Sequence, residues 1–413
     1  MNAEKTLPPL SICHVITRLI IGGAQENTVL TCRGLHDKGH RVTLIAGPET
    51  GPEGSLWDEA RSIGCEVIAL DSLRRAVRPI VDLRARRELV QLFRRIKPDV
   101  VHTHSSKAGI VARSAAFAAG VPVIVHTIHG MSFNRTQSRW VRAAYRMMER
   151  RAARYTHGII TVADAMIDQA VAAGIAPRER FTTIRSGLET DRFAPCAESR
   201  QKHRGEWGIG EGEIVVGTIA RLFENKGYEE IIAAMSSAVA REPRLQFVWI
   251  GDGADRSRYE RELARLGLRD RVTLAGLVRP EQVASMITGF DMLVHASRWE
   301  GLPRAVVQGL LAEVPAISFD NDGAPEVVLP DRTGILVRFG DVGGLSDAMA
   351  ALARDAQRRR ELGRCGRAHC LDLYDWRRMV DDIERLYRRI VKQAGHGGAG
   401  ASKRHSSGNS GTT

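Results

Sequence analysis

Aromatic side chains are scarce in this chain of 413 residues: Phe, Trp and Tyr make up 5% of it, although 43% is hydrophobic. Its apolar volume is therefore mainly aliphatic, the composition of parallel strands buried on both faces. The basic residues lack interleaved aromatics on which bases could stack, so no nucleic acid partner is expected. No run of eighteen apolar residues occurs, which excludes a helix long enough to span a bilayer. The opening MNAEKTLPPLSICHVI carries an acidic residue and two prolines, unlike a signal peptide. Six cysteines (13, 32, 65, 196, 365, 370) form no C-x-x-C pair. They read as free thiols of a reducing cytosol, and the expected location is cytoplasmic.

Such a length points to two or three domains, since single cores stop growing beyond roughly 250–300 residues. Charge is unevenly spread: residues 1–200 carry 29 Lys and Arg against 19 Asp and Glu, and residues 201–413 carry 31 against 29. The excess in the first half suits an anionic membrane face, although a solvated arginine-rich surface has the same composition.

Strand and helix patterns alternate in two series. The first has apolar strands at Ile12–Thr17, Val42–Ala46, Glu66–Leu70, Asp99–His102, Pro122–Thr127, Ile159–Val162 and Phe181–Ile184. The second has them at Ile214–Ile219, Leu245–Ile250, Val272–Leu274, Asp291–His295, Ala316–Phe319 and Gly334–Val337. Intervening helix-period stretches such as Ala24–Lys38, Leu83–Lys97 and Ser106–Ala119 make right-handed βαβ units, hence two parallel sheets. Asp375–Gln393 has helical spacing, whereas Ala394–Thr413 is nearly devoid of apolar residues and is expected to be disordered.

The densest information lies in His295–Pro315, HASRWEGLPRAVVQGLLAEVP. An apolar strand, Met292 to Val294, runs into a turn carrying Glu300, and a helix opens near Pro303, where a missing N–H costs nothing. Amides around Gly301 to Ala305 make an anion site beside a carboxylate. The two repel unless something positive lies between them. A sugar carried on a diphosphate suits both, with phosphates on the amides and hydroxyls on the carboxylate.

This segment resembles the donor-site motif of retaining family-4 glycosyltransferases: Glu, seven residues, Glu, then Gly-x-Pro. Two positions depart from the pattern, Gln308 at the second Glu and Glu313 at the usual Gly. Asp322–Val328 (DGAPEVV) and Thr333–Val337 (TGILV) are similar to the family as well. The resemblance implies a GT-B fold, α/β, with two Rossmann-like parallel-sheet domains facing a cleft and a C-terminal helix crossing back to the first. On this chain that means an acceptor-side domain over 1–192, a linker 193–212, a nucleotide-sugar domain over 213–374, a crossing helix 375–393 and the tail 394–413.

Other motifs take their place beside it. Thr218–Gly227 (TIARLFENKG) ends a strand with Arg221 and sets Lys226 at a helix entrance. Both cations belong to the carboxyl edge of a sheet, where open α/β sheets bind ligands. They resemble the family's pyrophosphate pair, which implies that they stabilise the leaving phosphate. Gly22 and Gly23 open a helix after the first strand, a plain tight turn by itself, and are placed by the resemblance against donor and acceptor. His129-Gly130 matches the family's His-Gly, which implies contact of His129 with the donor sugar. His126 reads as structural, and His102 or His104 as lining the acceptor side. No Cys or carboxylate cluster accompanies these histidines, and neither a metal nor a cofactor is expected. Asp320-Asn321-Asp322 is a common turn composition. Glu326 is placed near Arg221 or the donor ribose. Seven arginines from Arg135 to Arg154 recur at helical intervals opposite Trp140, Val141, Ala144, Tyr145 and Met148, as in an interfacial basic helix or a packed helix with a charged rim.

The reading that follows is a metal-independent, retaining hexosyltransferase, peripheral on the inner membrane face. Its catalytic residues are Arg221, Lys226, Glu300 and His129. Its donor contacts are Gly22, Gly23, Gly301, Leu302 and Gln308. It takes a UDP- or GDP-sugar and a saccharide or lipid-linked acceptor, resembling enzymes that build bacterial surface polysaccharides. The alternatives are a degenerate sugar-nucleotide binder, raised by Gln308 and Glu313, and a sugar-nucleotide epimerase of the same fold.

Overall fold

The computed structural model describes residues 8–134 and 137–402. It divides into two compact units. The first comprises the chain up to Val162, Ile167–Ile184, and everything from Met379. The second comprises Ala163–Met166 and Arg185–Arg378. Residues 185–193 join the second unit because backbone bonds stitch them there: Leu188 N–H donates to Tyr374 O (2.8 Å) and Trp376 N–H donates to Leu188 O (3.1 Å).

In the first unit seven strands form one parallel sheet: β1 (Ser11–Ile16), β2 (Arg41–Ala46), β3 (Glu66–Ala69), β4 (Val100–His104), β5 (Val123–Ile128), β6 (Gly158–Thr161) and β7 (Phe181–Thr183). Helices α1 (Gly23–Asp37), α2 (Trp57–Ser62), α3 (Pro79–Ile96), α4 (Ser106–Ala119), α5 (Arg139–Ala153) and α6 (Asp164–Ala172) follow β1 to β6 in turn. The spatial order is β3-β2-β1-β4-β5-β6-β7, so the winding reverses between β1 and β4. At such a switch point the connecting helices leave on opposite faces and open a crevice at the carboxyl ends of the strands.

Strand alternation sorts the side chains between two faces. Cys13, Val15, Val101 and Ile124 pack with Leu89 and Phe93 of α3 and Ala112 of α4. His14 is in register with His102, and both, with His104, point to the other face. There they meet Tyr387 of α14 (Trp376–Ser402). That helix enters the first unit at Met379 and buries Met379, Val380, Ile383, Leu386, Tyr387 and Ile390 along one stripe. Lys38 closes its flank with ion pairs to Asp381 (2.6 Å) and Glu384 (2.8 Å).

The helix also runs into the span expected to be a tail. Residues 394–402 continue it, although glycine is a poor helix former there, so this extension rests on propagation from the amphipathic turns before it. Residues 403–413, the remainder of that expected tail, lie outside the described residues.

The second unit repeats the plan with β8 (Ile214–Ile219), β9 (Leu245–Ile250), β10 (Val272–Gly276), β11 (Met292–His295), β12 (Ala316–Phe319) and β13 (Gly334–Val337). Its helices are α7 (Ala197–Glu206), α8 (Tyr228–Arg241), α9 (Arg256–Arg265), α10 (Pro280–Ile287), α11 (Arg304–Leu311), α12 (Val342–Arg354) and α13 (Ala356–Leu373). The order β10-β9-β8-β11-β12-β13 reverses between β8 and β11. In the unit's core Trp249, Tyr228 and Tyr259 form an aromatic group, with Tyr228 and Trp249 ring centroids 4.7 Å apart. Tyr228 O–H donates to Ala220 O (2.9 Å), which anchors the loop leaving β8. No described helix is long and apolar enough to cross a membrane.

Candidate active site

The loops leaving β8 and β11 are locked together. Arg298 N–H donates to Asn225 O (2.9 Å), and Ser297 O–H donates to the same carbonyl (3.2 Å). Between them Gly227 sits at φ 74°, and a Cβ there would stand 1.9 Å from Ala296 O. Only glycine allows this approach in that backbone conformation. Arg221 and Lys226 leave β8 on one of these loops, and Glu300 leaves β11 on the other. The Lys226 ammonium is ion-paired with the Glu300 carboxylate. Arg221 stands in the same loop with its guanidinium over the Phe223 ring, 4.9 Å from the centroid.

Glu300 is held from its other side as well. Its N–H donates to Asp322 Oδ2 (2.8 Å), and the next turn is pinned where Asn321 Nδ2 donates to Ser297 O (3.1 Å). Gly323 fits because a Cβ there would lie 2.2 Å from Gly301 O. His295, buried at the end of β11, brings Nε2 to 3.6 Å from Glu300 Oε1. Burial pushes the Glu300 carboxyl up, but Lys226 and then His295 outweigh it, leaving its pKa far below the ordinary 4.5. The carboxylate is therefore held in its ionised form beside the Lys226 ammonium.

Gly301 and Leu302 are buried between Glu300 and α11. Pro303 is the N-cap of that helix rather than its first residue, so the helix opens one position later than its sequence suggests. Arg304 N–H turns back to Leu302 O (2.9 Å), which removes one amide from the expected anion site. Gln308 stands on the less buried side of α11. Glu313 follows the helix at φ 60°, in the left-handed region, so glycine's usual place is taken here by a residue that pays a steric penalty.

In the first unit the corresponding edge carries Gly22, Gly23 and His129. Gly22 is the N-cap of α1 and Gly23 its first residue. Across the switch point Thr17 and Ser105 clasp through their hydroxyls (2.7 Å), with Ser105 at φ 60°. Such strain at a switch point is typical of a working loop. His129 lies just beyond β5 and lines a cavity of about 270 Å³ together with Ala24, Ser106, Thr127, Phe133 and Glu149. The Glu149 carboxylate at this cavity is paired with the fully buried Arg113 (2.6 Å). His126 is on the opposite face from His102 and His104, bonded to Thr103 and packed under Gly109, where a Cβ would be 2.5 Å from its ring. Lys107 is bound to Asp82 (2.5 Å) and Ala76 O (3.0 Å).

Some sequence readings shift. Glu326 accepts from Ala165 N–H (3.0 Å) and Arg185 (3.0 Å), which makes it an anchor of the 163–166 turn. Asp320 accepts from Phe339 N–H (2.7 Å) as Asp322 does from Glu300, so both aspartates serve backbone amides. Two residues escaped the reading. His295 opens the most informative segment yet has no motif partner in sequence. His14 is isolated in the chain but joins His102 and His104 to make a buried trio with metal-like spacing. Five of its six ring nitrogens are engaged in hydrogen bonds: His14 Nδ1 with His104 Nε2, His104 Nδ1 with His129, and both of His102 with Tyr387 and Thr127. A ligand set would have to give these up.

Two doubly wound parallel-sheet units in one chain are the architecture of the GT-B fold, and the second switch point carries a cation–carboxylate pair. Residues 22–187 match the glycosyl transferase 4-like domain and residues 199–369 match the glycosyl transferases group 1. The chain belongs to this glycosyltransferase family. It is similar to the UDP-Gal:alpha-D-GlcNAc-diphosphoundecaprenol alpha-1,3-galactosyltransferase of Escherichia coli, 25% identical over 94% of this chain and 99% of that one. It is also similar to the putative glycosyltransferase EpsD of Bacillus subtilis, 29% identical over 73% of this chain and 79% of that one. Among solved structures, HepE of Anabaena in complex with UDP and glucose superimposes with a TM-score of 0.80 at 19% identity, covering 92% of this chain and all of that one. WaaG, a glycosyltransferase involved in lipopolysaccharide biosynthesis, does so at 0.70 and 16% identity, covering 92% of this chain and 99% of that one.

Proposed function

We propose that the enzyme transfers a hexose-type sugar from a UDP- or GDP-sugar to a saccharide or lipid-linked acceptor, with retention of configuration and without a metal. The observation that carries this reading is the Lys226–Glu300 pair at the carboxyl ends of β8 and β11. A donor diphosphate draws on the Lys226 ammonium and the Arg221 guanidinium, which offset the charge that builds on the departing phosphate oxygen. Glu300, kept ionised, accepts hydrogen bonds from sugar hydroxyls. Gly301 and Leu302 lie against the donor, and Gln308 reaches its ribose. On the acceptor side Gly22 and Gly23 allow close backbone approach, and His129 meets the reacting region. Lacking a separate nucleophile, the reaction is a front-face substitution: the acceptor oxygen bonds the anomeric carbon as its bond to phosphate breaks, and the hydroxyl proton leaves on the released diphosphate. The galactosyltransferase among the relatives acts on a diphosphoundecaprenol acceptor, which supports a lipid-linked one here.

Contact with an anionic membrane has support in the first unit. Trp140 (87% exposed) and Met147 on α5, and Ile80 (86% exposed) with Val77 at the start of α3, stand out among arginines. The starts of α3 and α5 both follow the carboxyl ends of strands, which puts Val77, Ile80 and Trp140 at that edge of the sheet. Not all the arginines of α5 contribute: Arg146 and Arg150 both donate to Ala173 O (3.1 and 2.8 Å), and Arg135 lies outside the described residues. A screen of nucleotide sugars with purified protein, following nucleotide release with and without membrane lipid extract, tests the whole reading. Proton NMR of the product's anomeric signal then decides retention. Release with none of the UDP- or GDP-sugars would leave the degenerate binder standing.

A further inference from the structure

Three histidines of the first unit form a single file. His14 Nδ1 lies 3.0 Å from His104 Nε2, and His104 Nδ1 lies 3.0 Å from His129 Nε2. The file begins in the sheet interior, where His14 and His104 are fully buried, and ends at the half-buried His129 beyond β5. We propose that His14 and His104 are positioning residues that fix His129 in its Nδ1–H tautomer, so that the ring offers a donor at Nδ1. The consequence for sugar transfer rests on the role given to His129 above.

A neutral imidazole has one donor and one acceptor nitrogen, so His104, bonded at both, must donate on one side and accept on the other. Both bonds therefore run in the same direction. Burial holds the His14 and His104 rings in the neutral form, pushing His14 down to about 3 and His104 well below its ordinary value. The direction is set at the closed end, because His14 Nε2 is buried with no hydrogen-bond partner among the described residues. If the bonds ran inward from His129, that nitrogen would carry a hydrogen with no acceptor. If they run outward, it holds only a bare lone pair. Orphaned buried N–H groups are the rarer case. The outward direction makes His14 Nδ1–H donate to His104 Nε2, and His104 Nδ1–H donate to His129 Nε2. The proton of His129 is then left on Nδ1.

His102 stands beside the file and not in it. Its Nδ1 meets Tyr387 Oη (2.5 Å) and its Nε2 meets Thr127 Oγ1 (2.7 Å). With its ring centroid 4.2 Å from that of His104, it walls the file on one side.

The direct test is nitrogen NMR of the full-length protein labelled at histidine, with His129 assigned from the His129→Ala spectrum. The wild type should show a protonated, pyrrole-type Nδ1 and a pyridine-type Nε2 on His129. His104→Phe, which keeps a flat ring but cannot donate, should move proton onto Nε2. His104→Asn, whose amide can replace the Nδ1–H donor, should restore the wild-type pattern. In kinetics, His104→Phe should lower kcat between about tenfold and a hundredfold. The same change in a His129→Ala background should cost nothing more, because the residue acts through His129. A wild-type His129 protonated at Nε2 overturns the proposal even if no variant folds. So does an unchanged tautomer in His104→Phe, or additive losses in the double variant. Full turnover of His129→Ala overturns instead the role of His129 in transfer, and the spectra, which need no turnover, separate that failure from this one.

Discussion

Lys226 and Glu300, 74 positions apart, are ion-paired between the ends of the adjacent strands β8 and β11. In this arrangement the ammonium and the carboxylate are neighbours and neutralise one another. Lys226→Ala and Arg221→Ala should each reduce turnover by roughly two decades or more, since each removes a positive group facing developing phosphate charge. Circular dichroism should be unchanged, and near-normal turnover in either would remove the donor-site assignment.

Lys226→Ala should also raise the pKa of Glu300. Burial raises it in the folded protein, and Lys226 is the largest opposing influence. Because the folded-state value lies below the ordinary 4.5, the pair contributes stability that is fully present above that pH and is lost as pH falls through the folded value. Acid unfolding of Lys226→Ala should therefore begin at higher pH than that of wild type. Carboxyl carbon NMR of Glu300 gives the sign directly, and a fall on removing Lys226 contradicts the electrostatic account.

Chelation should leave turnover intact. Asp320 and Asp322 each hold a backbone N–H, which leaves the Asp-x-Asp turn committed to loop structure. Loss of activity in EDTA, restored by a divalent cation, would make these carboxylates candidate ligands.

Gln308→Glu should tighten nucleotide binding several-fold without changing the chemical step. A carboxylate accepts from both ribose hydroxyls, whereas an amide offers one accepting oxygen, and the added charge-assisted bond is worth on the order of 1 kcal/mol. Calorimetry with the free nucleotide decides the matter, and unchanged or weaker binding means that Gln308 faces elsewhere.

Glu313→Gly should stabilise the second unit. Glu313 holds φ 60°, which costs a non-glycine residue about 1–2 kcal/mol, partly offset by the greater freedom of glycine in the unfolded chain. A net gain of about 1 kcal/mol corresponds to a rise in Tm of about 2–4 °C for a unit of this size. A lower melting temperature would show that the Glu313 side chain contributes more than its backbone costs.

Binding to vesicles should require anionic lipid and weaken in salt, because the arginines around Trp140 and Ile80 act through screened charge. Trp140→Ala should reduce it further by removing apolar contact. Binding indifferent to lipid charge, or unchanged in molar salt, counts against this face.

Local pattern was enough to place thirteen strands, their parallel pairing and the Glu300 turn, because strand alternation and helix starts are properties of a few neighbouring residues. It was also enough to mark Arg221, Lys226 and Glu300 as separate groups at strand ends. That Lys226 meets Glu300 was decided by strand order, since β8 and β11 become neighbours only when the winding reverses. That Glu326 meets Arg185 was hidden for the same kind of reason: its partner comes from a segment that the chain contributes from far upstream. The histidine file depends on register. Pairing of β1 with β4 sets His14 opposite His102, and a strand period of two puts His104 on the same face and His129 beyond it. No spacing within the chain contains that relationship, because it is made by hydrogen bonds between strands more than eighty residues apart.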